Sequence, residues 1–215
     1  MFVVLGVVLA GLVGAGILLF NLLTGAGILQ LGGTDYEDPT TYLPELNRKY
    51  TYQVRYADGY EGTEELWAGR IDGPALMSMT SIIPESEGFT EHIVKKSDGL
   101  YSVSDTYMEP IRILPAKVVQ GASWESGGVG FSILETGASV STSGMSFDDC
   151  IIVRQSFDET GYGFLVWYAP GVGVVQSLDE GSDSVYYMLV GISDLDPSEV
   201  KATLTRYSPN IQQIQ

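Results

Sequence analysis

Sulfur, imidazole and positive charge are all scarce: the 215 residues hold one cysteine, Cys150, one histidine, His92, and 11 lysines and arginines against 27 aspartates and glutamates. A lone cysteine forms no internal disulfide, and a single Cys and a single His leave no Cys/His zinc site and little material for nucleophilic catalysis. The formal charge of −16, with no basic stripe set apart from the acids, repels phosphate backbones and excludes nucleic acid as a partner. No charged side chain occurs before Asp35 and no lysine or arginine before Arg48. The chain therefore opens on an uncharged, apolar stretch and turns acidic only afterwards.

That opening stretch has no polar side chain from Met1 to Phe20, and apolar character runs on to Leu31 with only Asn21, Thr24 and Gln30 interrupting it. At 1.5 Å per residue, about 20 residues cross the roughly 30 Å hydrocarbon core of a bilayer, so residues 1–31 are predicted to be one transmembrane helix, tilted or overlong. A cleaved signal peptide would carry a basic start and a shorter apolar run, neither of which is present, and no early cysteine offers a lipid attachment point. Gly6, Ala10 and Gly14 fall on one helix face, with Gly11 and Ala15 on the adjoining ridge. Small residues so spaced let a second helix approach closely, which predicts other transmembrane helices as partners, either different subunits or identical copies. Acids dominate the flank after the helix, so the rest of the chain is expected on the extracytoplasmic side of a bacterial cell membrane.

Residues 32–41 read as a polar linker, 42–206 as a β-rich extracytoplasmic domain and 207–215 as a C-terminal tail. Tyr50, Tyr52, Val54 and Tyr56 alternate with Thr51, Gln53 and Arg55, the period-2 pattern of a strand with one buried face. Similar runs at 64–71, 75–83, 89–95, 100–105, 131–135, 150–157, 162–168, 174–178 and 185–192 are separated by turn-forming Asp-Gly, Gly-Gly, Pro-Gly and Ser/Asp clusters. The expected fold is all-β and antiparallel. A short helical turn is expected from Asp196-Pro197-Ser198-Glu199, with proline at a first helical position.

The chemistry-bearing residues read mostly as structure. The acid clusters Asp35/Glu37/Asp38, Glu61/Glu64/Glu65, Asp148/Asp149, Asp179/Glu180/Asp183 and Asp194/Asp196/Glu199 are expected to be solvated turn surfaces. In the last of these, Glu199 stands where a calcium loop needs glycine. His92 is expected at the surface or hydrogen-bonded, and Cys150 as a small buried hydrophobe. Trp67, Trp124 and Trp167 with the 13 tyrosines could line an apolar ligand pocket, but aromatic residues alternating on strands are usually core or sheet surface. Pro170, Gly171 and Gly173 are read as a turn between strands. A phosphate loop would need a helix after it, whereas Val174–Leu178 continues as a strand. No catalytic, metal-binding or cofactor-binding residue is assigned.

Tyr42-Leu43-Pro44, Asn47–Tyr52, Asp98-Gly99-Leu100-Tyr101, Ile113-Leu114-Pro115, Gly121-Ala122-Ser123-Trp124, Gly144-Met145-Ser146-Phe147-Asp148-Asp149-Cys150 and Tyr168-Ala169-Pro170-Gly171-Val172-Gly173-Val174-Val175 occur in that order. In this the chain resembles a group of uncharacterised secreted bacterial domains similar to the lipoprotein-localisation-factor-like half-barrels. The resemblance implies a strongly curved antiparallel sheet around an apolar interior, with no assigned reaction. It departs at the front, where a membrane helix replaces a lipid-modified cysteine. Three roles follow as expectations: a non-catalytic accessory subunit of a membrane assembly, a pilin-like filament subunit in which Leu5 stands where an acid is usual, and an apolar-ligand or lipid carrier.

Overall fold

Alternation of apolar and polar residues produces twelve strands in one antiparallel sheet. The computed structural model describes residues 37–55, 59, 61–71, 73–83, 88–104, 109–157, 162–181 and 184–208, which lie within the unit Asp35–Gln215. The strands are β1 (Arg48–Arg55), β2 (Glu61–Gly69), β3 (Met77–Ile82), β4 (Phe89–Lys96), β5 (Gly99–Val103), β6 (Ile111–Pro115), β7 (Ser123–Ser126), β8 (Val129–Thr142), β9 (Met145–Phe157), β10 (Tyr162–Ala169), β11 (Gly173–Asp179) and β12 (Val185–Asp194). Among the described residues, a 3-10 turn at Pro39–Tyr42 precedes them and one helix, α1 (Pro197–Tyr207), follows. The predicted helix over 1–31 and its packing residues Gly6, Ala10, Gly11, Gly14 and Ala15 lie outside the described residues. Among the described residues, no helix is long and apolar enough to cross a membrane.

The order is β6-β5-β4-β3-β2-β1-β12-β11-β10-β9-β8-β7, two meanders joined where the first strand pairs with the last. The sheet is all-β, antiparallel and curved, as expected, and it wraps further than a half-barrel. Its outer strands meet: Trp124 Nε1 donates to the Arg112 carbonyl oxygen at 2.8 Å, and the Arg112 amide donates to Ser126 Oγ at 2.8 Å. Side chains thus take over from the backbone ladder along the seam between β6 and β7, leaving a twelve-stranded, nearly closed barrel.

One end of the barrel is plugged. Asp38 caps the 3-10 turn through Thr40 and ion-pairs with Lys95 at 2.7 Å, while Glu37 bridges to Val118. The Tyr42 side chain is almost fully buried, and its hydroxyl donates to Glu37. The Asn47 amide donates to the Ala68 carbonyl and the Leu195 amide to the Asn47 carbonyl, at 2.8 and 2.9 Å. Residues 37–47 thereby stitch the ends of strands from around the barrel into one closed end. Inside it lies the apolar core, where Tyr50, Ile93, Leu100, Leu114, Ile133, Ile151, Val175 and Leu189 are all 1% exposed or less.

The helix is longer than the single turn expected from 196–199. Asp196 caps it and Pro197 opens it, and Val200 and Leu204, one turn apart, bury against Ile71 on the convex face. Gly69 makes room for them: a Cβ there would lie 2.3 Å from Val200 Cγ1. Only that narrow apolar pair marks the helix in the sequence, which is why it reads as short.

Candidate functional site

Register decides which polar side chains face into the barrel. Tyr52 pairs with Glu64 across β1 and β2, Leu66 with Ser81 across β2 and β3, Met79 with Glu91 across β3 and β4, and Val54 with Tyr187 across β1 and β12. Partners in a pair point to the same face of the sheet. Since Tyr52 and Val54 are interior, Glu64 and Tyr187 are interior too, and the same parity carries Ser81, Glu91 and, from the far wall, Gln155 and Phe164 inward. These side chains gather toward the end of the barrel opposite the plug.

Accessibility divides the interior. Glu64, Leu66, Met79, Glu91, Gln155, Phe164 and Tyr187 all point inward yet are only half-buried, whereas Tyr50, Ile93, Leu100, Ile151 and Val175 nearer the plug are sealed. Water therefore reaches the inner face of the sheet at the far end. Glu64 is the informative group there: burial raises its carboxyl above the usual range, opposed in part by hydrogen bonds from Ser81 and Tyr187. Burial also raises the Tyr187 phenol well above its ordinary value, helped by Tyr52, Glu64 and Glu91. Tyr168 is pushed up to about 12, first by burial and then by Glu91 on the opposite wall, while its hydrogen bond to Gln155 works the other way. The rings of Tyr52 and Tyr187 stack with centroids 4.2 Å apart, and the Tyr52 hydroxyl donates to the Val174 carbonyl at 2.9 Å.

The assignment of Glu61/Glu64/Glu65 to a solvated turn is therefore corrected at Glu64. All three lie on β2; Glu61 and Glu65 face outward to Arg55 and Lys49, and strand alternation turns Glu64 inside. Trp124 is part of the apolar core, with Trp167 packed against it, while carboxyls and phenols meet in the lining at the far end.

The turn residues stand at the closed end. Pro170 and Gly171 lie between β10 and β11, and Gly173 opens β11. The Gly171 amide donates to the Thr41 carbonyl at 2.8 Å, and the Gly171 carbonyl accepts from the Glu45 amide at 2.9 Å. Gly171 and Gly173 have φ of +69° and +82°. This turn is the dock for the plug segment. The Gly144–Cys150 motif spans the β8–β9 hairpin tip, with positive φ at Ser143, Gly144 and Asp149. Cys150 is fully buried, and burial pushes its thiol up to about 11, away from the thiolate form.

His92 is buried on the convex side, beneath the end of α1. Its Nδ1 lies 2.9 Å from Ser78 Oγ and its Nε2 lies 2.8 Å from Ser208 Oγ, with the Thr80–Thr90 hydroxyl pair at 2.7 Å one step along the same face. Ser78 sits on β3 and Ser208 at the helix C-cap, so the imidazole latches helix to sheet. No group of three metal-ligating side chains occurs among the described residues.

No family model and no curated protein matches the sequence. Among solved structures, the chain is similar to a protein described as exported, with a YmcC-like fold, from Bacteroides fragilis NCTC 9343, at 12% identity and TM-score 0.41, over 75% of this chain and 100% of that one. It is also similar to a protein described as a lipoprotein from Parabacteroides distasonis ATCC 8503, at 11% identity and TM-score 0.40, over 73% of this chain and 100% of that one.

Proposed function

We propose that the chain is a single-pass membrane protein whose acidic barrel stands outside a bacterial cell membrane as a non-catalytic binding domain for a small polar ligand. The observation that carries the binding role is the divided interior: inward side chains are sealed beside the plug and half-buried around Glu64, Glu91 and Tyr187. A barrel that served only as a spacer would gain stability from an apolar filling there, because buried carboxyls and phenols must be desolvated and individually hydrogen-bonded. The uncharged run over 1–31 and the acidic flank after it support the anchor and its orientation. A second role, assembly with other membrane subunits or with copies of itself, is favoured by the Gly6/Ala10/Gly14 ridge beside Gly11 and Ala15.

Two measurements test these readings. Protease added outside intact cells should digest the barrel and leave a membrane-held fragment; a fully protected barrel would overturn the orientation. Full-length protein extracted in a mild detergent should run as a complex that Gly14→Leu disperses, and an unchanged complex would remove the ridge from the argument.

A further inference from the structure

The far half of the barrel interior holds the carboxyl groups of Glu64 and Glu91. By strand alternation, no lysine or arginine occupies an inward position there among the described residues. Arg55 and Arg154 point outward to Glu61 and Glu180, and Lys95 and Arg48 are engaged at the closed end with Asp38 and with Glu45 and Asp194. Glu64 accepts hydrogen bonds from the hydroxyls of Ser81 and Tyr187. The lining also holds an unmet hydrogen-bonding position. Ser102 is 3% exposed, and its hydroxyl has no hydrogen-bond partner. Ser102 pairs with the interior Ile93 across β4 and β5, which places it on the inner face diagonally beside Glu91. Aromatic faces line one wall of the far end. Phe157, Tyr162 and Phe164 continue the inward parity of Gln155 and Val166 to the far end, with Tyr162 and Phe164 4.9 Å apart edge to face and Tyr186 5.2 Å from Phe164.

Carboxyl groups, phenol oxygens and a spare hydroxyl beside a wall of aromatic faces form a lining of acceptors and π-surfaces, the complement of a group with several N–H donors and a positive charge. We propose that the far half of the barrel binds a small organic cation, an ammonium or guanidinium group held by Glu64 and Glu91 with Ser102 as a further acceptor. This rests on the binding role proposed above and names its ligand class. A bound cation would also supply the charge that lets Glu64 ionise inside the protein. Neutral ligands offer the carboxylates only uncharged hydrogen bonds, about half as strong, and anions are repelled by them.

The test is calorimetric titration of the full chain in an uncharged detergent with agmatine, choline, butane-1,4-diol and glutarate, four probes of similar size and different charge. Agmatine should bind most tightly, choline detectably, and the other two not at all. Glu64→Gln and Glu91→Gln should each weaken agmatine by at least about tenfold, the loss of one charge-assisted contact, with no fall in melting temperature in Glu64→Gln. Ser102→Ala should weaken agmatine more than choline, which has no N–H to offer. Butanediol or glutarate binding as tightly as agmatine overturns the cation assignment and leaves the binding barrel standing. Absence of binding by all four probes overturns both.

Discussion

Replacing Gly173 with valine bears most directly on how the barrel is closed. Gly173 has φ of +82°, and a Cβ built on it would lie 3.1 Å from Pro44 Cδ and 3.6 Å from Pro44 Cγ. An L-residue forced into the left-handed region costs roughly 1–2 kcal/mol. A β-branched side chain must also push against the proline ring, and overpacking of this kind adds roughly 1–3 kcal/mol. Pro44 has little freedom to yield, since the Glu45 amide next to it is tied to the Gly171 carbonyl at 2.9 Å. The total is about 2–5 kcal/mol, which at roughly 2–4 °C per kcal/mol for a domain of this size lowers the melting temperature by roughly 4–20 °C. Gly171→Ala is the control. Its φ is +69°, but the nearest atoms to a Cβ are Glu45 Oε1 and Cγ at 3.6 and 3.7 Å. It therefore incurs only the conformational term, about 1 kcal/mol. Near-UV circular dichroism of the full chain in detergent should rank wild type above Gly171→Ala and that above Gly173→Val, and amide exchange at Glu45 should quicken most in the valine variant. A Gly173→Val protein that melts with the wild type would refute the argument that this turn holds the plug by close approach.

Other outcomes follow from the same geometry. Gly69→Ala should lift α1 from the sheet, because the new methyl meets Val200 Cγ1 at 2.3 Å and Leu204 Cδ1 at 2.9 Å; Val200→Ala in the same chain should restore part of the lost melting temperature, and failure to do so would show that the helix is held elsewhere. Glu64 has its folded-state carboxyl raised above 4.5 by burial, so the folded protein keeps that proton longer than the unfolded chain and loses stability as pH rises through and above the ordinary carboxylate range. Glu64→Gln should flatten that decline and melt higher than wild type at neutral pH, as read from melting curves across pH. Asp38 runs the other way: the Lys95 bond, then the Thr40 bonds, lower its carboxyl to about 2, so its contribution is present above pH ~3.8 and fades as pH falls toward the folded value. Asp38→Ala should cost about 1 kcal/mol in denaturant titration, mostly from the lost cap, since the half-exposed pair with Lys95 contributes little. Trp124→Phe keeps the stack on Phe131 but drops the 2.8 Å bond to Arg112, and should cost about 1 kcal/mol with faster amide exchange in β6.

Period-2 alternation located most of the strands because those strands bury one face against a single core. Two short strands escape it. β6 ends in Pro115 and β7 buries only Trp124, so neither carries enough alternation to be seen. The long β8–β9 hairpin was legible only in fragments, since register shifts near Glu135, Ala138 and Val140 interrupt the period. The interior acids were illegible for a different reason. Glu64 stands in a run of acids that reads as surface, and only its pairing opposite Tyr52 reveals which way it points. Which of three neighbouring glutamates turns inward is set by a partner strand, and local sequence does not contain that information.

The pairing of β1 with β12 has a kinetic consequence. Arg48 stands opposite Asp194 in the register, whereas every other ladder joins strands adjacent in sequence. Each six-stranded meander can zip by short hairpin closures, but the backbone ladder that joins them must wait for β12 and bears most of the loop-closure entropy of the sheet. Until it forms, β1 and β12 are both open edges, ready to template pairing with another copy. During synthesis the first strand is exposed for as long as the rest of the domain takes to emerge, so this is the interval in which the nascent barrel is vulnerable to misassociation.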